Sequence, residues 1–127
     1  MVSAELSPYA RGSETGDVVA GLSKALRQLG HRVTIALPRH PGFEAGGLLM
    51  ARRLTPLSIG GVDLTVLDGQ LASGVELVLL DDPPLYDRPS VFGDDGGYPD
   101  NLARFAVLCR GAAALLEHRA EQGKPFE

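Results

Sequence analysis

The chain has 127 residues, 44% of them apolar, and its 12 Lys or Arg against 16 Asp or Glu give a formal charge of −4. This composition indicates one globular domain and excludes the basic footprint of proteins that bind nucleic acid or anionic membranes. The longest mainly apolar run, residues 75–80, is far short of the roughly 20 residues that span a membrane, so we expect a soluble, cytoplasmic protein. Cys109 is the single cysteine, which excludes an internal disulfide. The three histidines are scattered, so we expect no metal and no cofactor: His31, His40 and His118.

The first predicted element is a helix over residues 17–29, closed by Gly30. Five apolar residues recur there at spacings of one, three and four, the pattern of one helix face: Val18, Val19, Leu22, Leu26 and Leu29. We therefore expect these five side chains to face the core.

Four strands are predicted next, over residues 32–37, 54–59, 62–67 and 75–80. Gly60-Gly61 between the middle two predicts an antiparallel hairpin. The nearly continuous apolar run of the last one is typical of a buried parallel strand. A helix followed by strands of this kind indicates an α/β fold.

A long loop, ending near residue 99, follows the last strand. Five acidic residues in it are consistent either with solvated turns or with oxygen ligands of a hard cation: Asp81, Asp82, Asp87, Asp94 and Asp95. Tyr86 and Tyr98, with Arg88 and Asn101 nearby, suit a sugar ring in a preformed cleft. The alternative is that the two tyrosines pin the loop onto the domain.

The last predicted element is a helix from about residue 100 to just before Gly123. Its apolar face is predicted from spacings of three and four: Leu102, Phe105, Cys109, Ala112 and Leu116. Cys109 is thus expected to be a small core residue. Nine residues of helix separate it from His118 and place the two on opposite faces, which excludes a nucleophile–base dyad. His31 and His40 are expected to be ordinary loop histidines.

Residues 9–17 form a loop between an apparent first strand and a helix N-terminus. Open α/β sheets bind anions at such loops, because exposed N–H groups and the helix dipole both favour negative charge. The glycine spacing fits neither the dinucleotide nor the Walker pattern, and Glu14 repels any phosphate that Arg11 attracts. The alternative is a tight turn before a capped helix.

Four segments carry a family resemblance across nearly the whole chain. VSAELSPYAR and GDVVAGLSKALRQLGHRVTIALPRHP, followed by PPLYDRPSVFG and YPDNLARFAVLCRGAAALL, resemble bacterial glycogen synthases and plant starch synthases in the same order. The resemblance implies a Rossmann-like three-layer sandwich that forms the N-terminal half of a two-domain GT-B fold. It also implies retaining transfer of glucose from ADP-glucose to the non-reducing end of an α-1,4-glucan, without a metal.

The resemblance also implies site residues. Arg11 and Asp17 would face the donor, and three residues would lie near the acceptor glucan: Tyr86, Tyr98 and Asn101. Where the family has Lys-Thr-Gly-Gly-Leu-Ala-Asp, this chain has Arg-Gly-Ser-Glu-Thr-Gly-Asp, so only Arg11 and Asp17 match. The alternative is therefore a non-catalytic glucan-binding or assembly module with a degenerate donor loop. No residue is assigned as catalytic.

Compared with the family pattern, the chain opens at Met1 without preceding strand residues and stops before a histidine-containing strand. We therefore expect residues 1–127 to be a single N-terminal domain truncated at both ends and inactive alone. Loss of about three or four buried aliphatic side chains, at about 1.5–3 kcal/mol each, predicts marginal stability. An open sheet edge favours pairing between chains, so a homo-oligomer, or a C-terminal domain as the missing partner, is a further expectation.

Overall fold

The computed structural model describes residues 1–127. Its helices are α1 (Thr15–Gln28), α2 (Gly42–Ala45), α3 (Pro83–Tyr86) and α4 (Asn101–Glu121), and its strands are β1 (Thr34–Pro38), β2 (Met50–Arg52), β3 (Leu57–Ile59), β4 (Val62–Gln70) and β5 (Glu76–Asp81). None of the helices has the length and apolarity that crossing a membrane requires.

The strands form one mixed sheet in the order β1-β5-β4-β2, with β3 beside β4. β1 and β5 are parallel, as predicted for the continuous apolar strand, whereas β4 runs antiparallel to β5, β2 and β3. On the outer edge of β1, Val2 pairs in parallel with Ala36, and the Ser3 N–H donates to the Ala36 carbonyl at 3.0 Å. The N-terminal residues thereby extend the sheet by one short pairing.

The predicted hairpin is confirmed. Gly60 and Gly61 have φ angles of +53° and +84°, in the left-handed region that favours glycine. β4 continues to Gln70 beyond the predicted end, because residues 65–70 pair with β5 and residues 67–69 also pair with β2. The three-residue β2 was not predicted, since it is too short to show an alternating pattern.

The helices lie on opposite faces of the sheet and give the three-layer α/β arrangement that was predicted. On one face Val19, Ala20 and Leu26 of α1 pack against Ile35 and Leu77. On the other face, Leu108 and Leu115 of α4 form a second cluster with five residues of the sheet: Ala36, Leu64, Val66, Val78 and Leu80. The carboxyl ends of β1 and β5 therefore lie at an edge of the sheet between the layer of α1 and the layer of α4.

The predicted core face of α1 is wrong for three of its five residues. Val18, Leu22 and Leu29 are 64%, 49% and 75% exposed, respectively. The residues buried on this helix are Gly16, Val19 and Ser23. Apolar periodicity missed this face because two of its three buried residues are a glycine and a serine, and the serine hydroxyl donates to the Ala20 carbonyl.

The predicted face of α4 is also rotated. Leu102 is 88% exposed, Leu116 is 52% exposed and Cys109 is exposed, so Cys109 is not the core residue that was expected. The buried residues are Arg104, Leu108, Gly111, Ala112 and Leu115. The shift is about one residue, or roughly 100°, because arginine and glycine hold two inward positions. Cys109 and His118 lie nine positions apart on one uninterrupted helix, which keeps them on opposite faces as expected.

Candidate functional site

The loop before α1 is built around Glu5, a residue that the sequence interpretation did not single out. Glu5 is 1% exposed. Its carboxylate accepts from the Gly12 N–H at 3.0 Å, from the Ser13 hydroxyl at 2.8 Å and from the Gly16 N–H at 2.9 Å. The loop therefore surrounds the Glu5 carboxylate, an acidic group of the protein itself.

The other N–H groups of the first α1 turn are also bonded within the chain. The Thr15 N–H donates to the Ser13 hydroxyl at 3.2 Å, and the Asp17 and Val18 N–H groups donate to the Glu14 carbonyl at 3.1 and 3.2 Å. The expectation that this helix offers exposed N–H groups to a ligand is thus wrong for this conformation. Glu5 supplies the negative charge that the helix dipole favours.

The two residues predicted to face the donor contact each other. The Arg11 guanidinium donates to the Asp17 carboxylate at 2.9 Å, and the two side chains are 63% and 49% exposed. An exposed pair of this kind contributes at most about 1 kcal/mol, so a stronger anion in solution can compete with Asp17 for Arg11.

The second part of the site is a network centred on Arg104, which is only 2% exposed. Its guanidinium donates to the Leu85 carbonyl at 2.6 Å, to the Val91 carbonyl at 2.9 Å and to the Asn101 side-chain oxygen at 2.7 Å. Burial, assisted by the nearby Arg88 charge, lowers the pKa of Arg104. One buried arginine thus fixes two points of the long loop onto α4.

Tyr86 lies behind this network rather than at a surface. It is 1% exposed and its hydroxyl donates to the Arg104 carbonyl at 2.8 Å. Burial raises the pKa of Tyr86 to about 12. In this conformation its ring offers no open face to a sugar.

Tyr98 and Asn101 contact the same arginine. The Tyr98 ring is half-buried, with the Arg88 and Arg104 guanidinium carbons 4.8 and 5.0 Å from its centroid. The Asn101 amide donates to the Phe92 carbonyl at 2.8 Å while its oxygen accepts from Arg104. The structure therefore brings the three predicted acceptor residues together, and their contacts favour the interpretation that they pin the loop onto the domain.

Arg88 closes the outer side of this network. Its guanidinium donates to both carboxylate oxygens of Asp100, at 2.7 and 2.6 Å. That hydrogen bonding lowers the pKa of Asp100 and raises the pKa of Arg88. The pair holds the end of the loop against the first turn of α4.

The loop before α1 touches the Arg104 network through Phe92. A Cβ atom at Gly12 would lie 2.6 Å from Cδ2 of the Phe92 ring, so Gly12 packs directly against that ring. The Phe92 carbonyl in turn accepts from Asn101 and from the Tyr98 N–H. The side chains predicted for donor and acceptor therefore lie on two loops that touch.

Polar residues also gather at the carboxyl ends of β1 and β5. His40 is half-buried, its Nδ1 accepts from the Gly42 N–H at 3.1 Å, and its Nε2 has no partner. Burial lowers the pKa of His40, which lies in the loop between β1 and α2. Burial likewise raises the pKa of Asp81, although Arg39 lies 3.8 Å away. No three His, Cys, Asp or Glu side chains lie together in an arrangement that would hold a metal.

Comparison with known proteins identifies the family. The model of the starch synthase catalytic domain matches residues 1–125. The glycogen synthases of Geotalea uraniireducens and Halorhodospira halophila are 35% and 38% identical to the chain over 91% and 94% of its length. These alignments cover 25% and 27% of the two relatives, so the chain spans about a quarter of their length.

A solved structure supports the same relationship. The catalytic domain of starch synthase IV from Arabidopsis thaliana, bound to ADP and acarbose, is similar with a TM-score of 0.79 and 27% identity. The similarity covers 94% of this chain and 25% of that one. The family match over residues 1–125, together with this fold, confirms the resemblance seen in the sequence: the chain belongs to the starch synthase catalytic domain family.

Proposed function

We propose that the chain is the N-terminal domain of a glycogen or starch synthase-type glucosyltransferase, which transfers glucose from ADP-glucose to the non-reducing end of an α-1,4-glucan. The observation that carries this proposal is the family match over residues 1–125, which includes the donor loop, the Arg104 network and α4. The similarity to a starch synthase bound to ADP and acarbose supports both ligand classes. The proposal includes a cytoplasmic location for the enzyme.

The activity is assigned to the chain joined to the other three quarters of such a protein, because the chain spans about a quarter of its relatives. The chain alone is expected not to transfer glucose. Pairing of two copies along the β1 edge beside Val2 is a further part of the proposal, and light scattering that gives a monomer at high concentration would refute it.

In this proposal Arg11 contacts the donor diphosphate after it exchanges Asp17 for the ligand. A guanidinium that is 63% exposed is available for that exchange, and positive charge stabilises a leaving diphosphate. Tyr98 borders the glucan. Tyr86 and Asn101 support that border from behind, since both are bonded to Arg104.

A second candidate is a non-catalytic glucan-binding or assembly module. Two contacts of the donor loop favour it. Glu5 occupies backbone N–H groups, and Asp17 occupies the Arg11 guanidinium, that a bound diphosphate would need. The carboxylate of Glu14 adds negative charge at the same place.

The test is a chimera in which this chain replaces the matching quarter of the Geotalea uraniireducens glycogen synthase. Transfer of radiolabelled glucose from ADP-glucose to glycogen is measured. The matched control is the same chimera with residues 11–14 changed to Lys-Thr-Gly-Gly. An active chimera supports the enzyme; a chimera that is active only with the changed loop supports the degenerate module. Inactivity of both, in a folded protein, would refute the enzyme proposal.

A further inference from the structure

We propose that Glu5 is the built-in anionic occupant of the α1 N-terminus and competes with phosphate for the N–H groups of the donor loop. Glu5 then lowers the affinity of this loop for a diphosphate. The inference rests on the proposed function only in taking the loop as the donor loop.

The bonding pattern of Glu5 is that of an ionised carboxylate. Two N–H groups and one hydroxyl point at its two oxygens, and it donates to none of them. A carboxylate that receives several N–H bonds at a helix N-terminus occupies the same kind of position as a bound phosphate.

Little donor capacity is left for an external anion. With the first-turn N–H groups of α1 bonded internally, the N–H groups of Tyr9 and Arg11 have no partner in the chain, and nearer the helix the same holds for the N–H groups of Ser13 and Glu14. They adjoin the exposed Glu14 carboxylate, which repels phosphate. A diphosphate therefore meets Arg11 first and reaches the amides of Gly12 and Gly16 only when Glu5 gives them up.

Glu5→Gln is the sharpest perturbation because it keeps the shape of the side chain. One carboxylate oxygen becomes an NH₂ group, which no longer accepts a hydrogen bond. The Ser13 hydroxyl can turn round and accept from that group, but the backbone N–H of Gly12 or Gly16 has no such freedom. The variant thus releases one loop N–H and removes the buried negative charge.

The experiment titrates the ¹⁵N-labelled 127-residue chain with inorganic pyrophosphate and follows the amide and Arg11 Nε resonances. In the wild type we expect weak binding that moves Arg11 but not the amides of Gly12 and Gly16. In Glu5→Gln we expect binding at least about tenfold tighter, with one of those glycine amides now responding. Thermal unfolding of each protein checks that it is folded.

Glu14→Gln is the matched control, because it removes the same charge from the exposed side of the same loop and leaves Glu5 in place. Its affinity for pyrophosphate should rise by about threefold or less, since surface charge is screened. If Glu5→Gln binds no tighter than Glu14→Gln, or binds no pyrophosphate at all, the proposal is overturned. Movement of the Gly12 and Gly16 amides in the wild type overturns it as well, even should the variant fail to fold.

This readout is independent of glucosyl transfer. Inactivity of both chimeras refutes the enzyme proposal and leaves the ratio of the two affinities unchanged. Equal affinities of the two variants, beside an active chimera, refute only the role of Glu5.

Discussion

Replacement of Arg104 by methionine removes the group that joins the long loop to α4, while keeping an unbranched side chain. The guanidinium donates three hydrogen bonds, two of them to backbone carbonyls of the loop. Methionine fills much of the same volume and leaves all three acceptors without that donor. Arg104→Met therefore tests whether the buried arginine, rather than apolar packing, holds the loop.

The expected loss of stability follows from those three bonds. A hydrogen bond from a charged donor contributes about 1.5–3 kcal/mol, so three set an upper limit of about 5–9 kcal/mol. The variant no longer has to bury a guanidinium, which offsets part of this loss, and water reaches some of the freed acceptors. We expect a decrease of about 3–5 kcal/mol in the free energy of unfolding, the range for breaking a buried charged contact.

The assay is urea unfolding followed by circular dichroism. Arg110→Met is the control, since Arg110 is exposed on the same helix, and it should change the free energy of unfolding by about 0.5 kcal/mol or less. Arg104→Lys keeps the charge but reaches fewer acceptors, so it should cost about 2 kcal/mol and remain measurable if the methionine variant does not fold. A loss below about 1 kcal/mol for Arg104→Met, or equal losses at positions 104 and 110, would refute the role given to this arginine.

Further predictions concern burial. Burial raises the pKa of Tyr86 to about 12, so the folded state favours the neutral phenol over the ionised one. This contribution to the free energy of unfolding is complete below pH 10 and is lost between pH 10 and 12, a decrease of up to about 2–3 kcal/mol. Urea unfolding at a series of pH values should show this decrease, and Tyr86→Phe should abolish it. Gly21→Ala, with nothing within 4 Å of the added Cβ, should stabilise by about 0.5–1 kcal/mol. Gly111→Ala should destabilise by about 1–2 kcal/mol, since its Cβ would lie 2.6 Å from Cδ1 of Leu80. Thermal unfolding of both glycine variants should show a higher melting temperature for Gly21→Ala and a lower one for Gly111→Ala. Cys109, being exposed, should react with a thiol reagent in the folded protein as fast as in urea, and a slow reaction would contradict its placement.

Elements whose pattern is local were predictable from the sequence. Gly60-Gly61 between two apolar strands identified the hairpin, and the apolar run of β5 identified a parallel strand, because turn conformation and strand burial depend on neighbouring residues. The existence of α1 and α4 was predictable for the same reason. Their buried faces were not, since Ser23 and Arg104 count as polar in any periodicity and are buried by partners far away in the chain.

The candidate site shows the same limit more clearly. The loops that carry it were predictable, and so were six of the residues that contacts now link to it: Arg11, Asp17, Tyr86, Arg88, Tyr98 and Asn101. What these side chains bond to was not, because Glu5 lies eleven positions before Gly16 and Arg104 lies nineteen positions after Leu85. The sequence held one signal for this network. Arg104 lies close to Tyr98 and Phe105 in the chain, and guanidinium groups pack on aromatic faces.

The charges around the loop before α1 bear on both proposed functions. Glu5, Glu14 and Asp17 bring three carboxylates to a loop that has Arg11 as its guanidinium, and two of the three already bond to loop groups. With all three carboxylates in place, tight binding of a diphosphate there needs positive charge from elsewhere, because like charges at contact distance oppose binding in a partly buried site. The enzyme proposal therefore requires a second domain that faces this loop with basic side chains. A neutral glucan makes no such demand, since carboxylates and carbonyls accept hydrogen bonds from sugar hydroxyls without charge compensation. The charge balance of one short loop thus decides which ligand this surface can hold by itself, and pyrophosphate affinity is the direct measure of it.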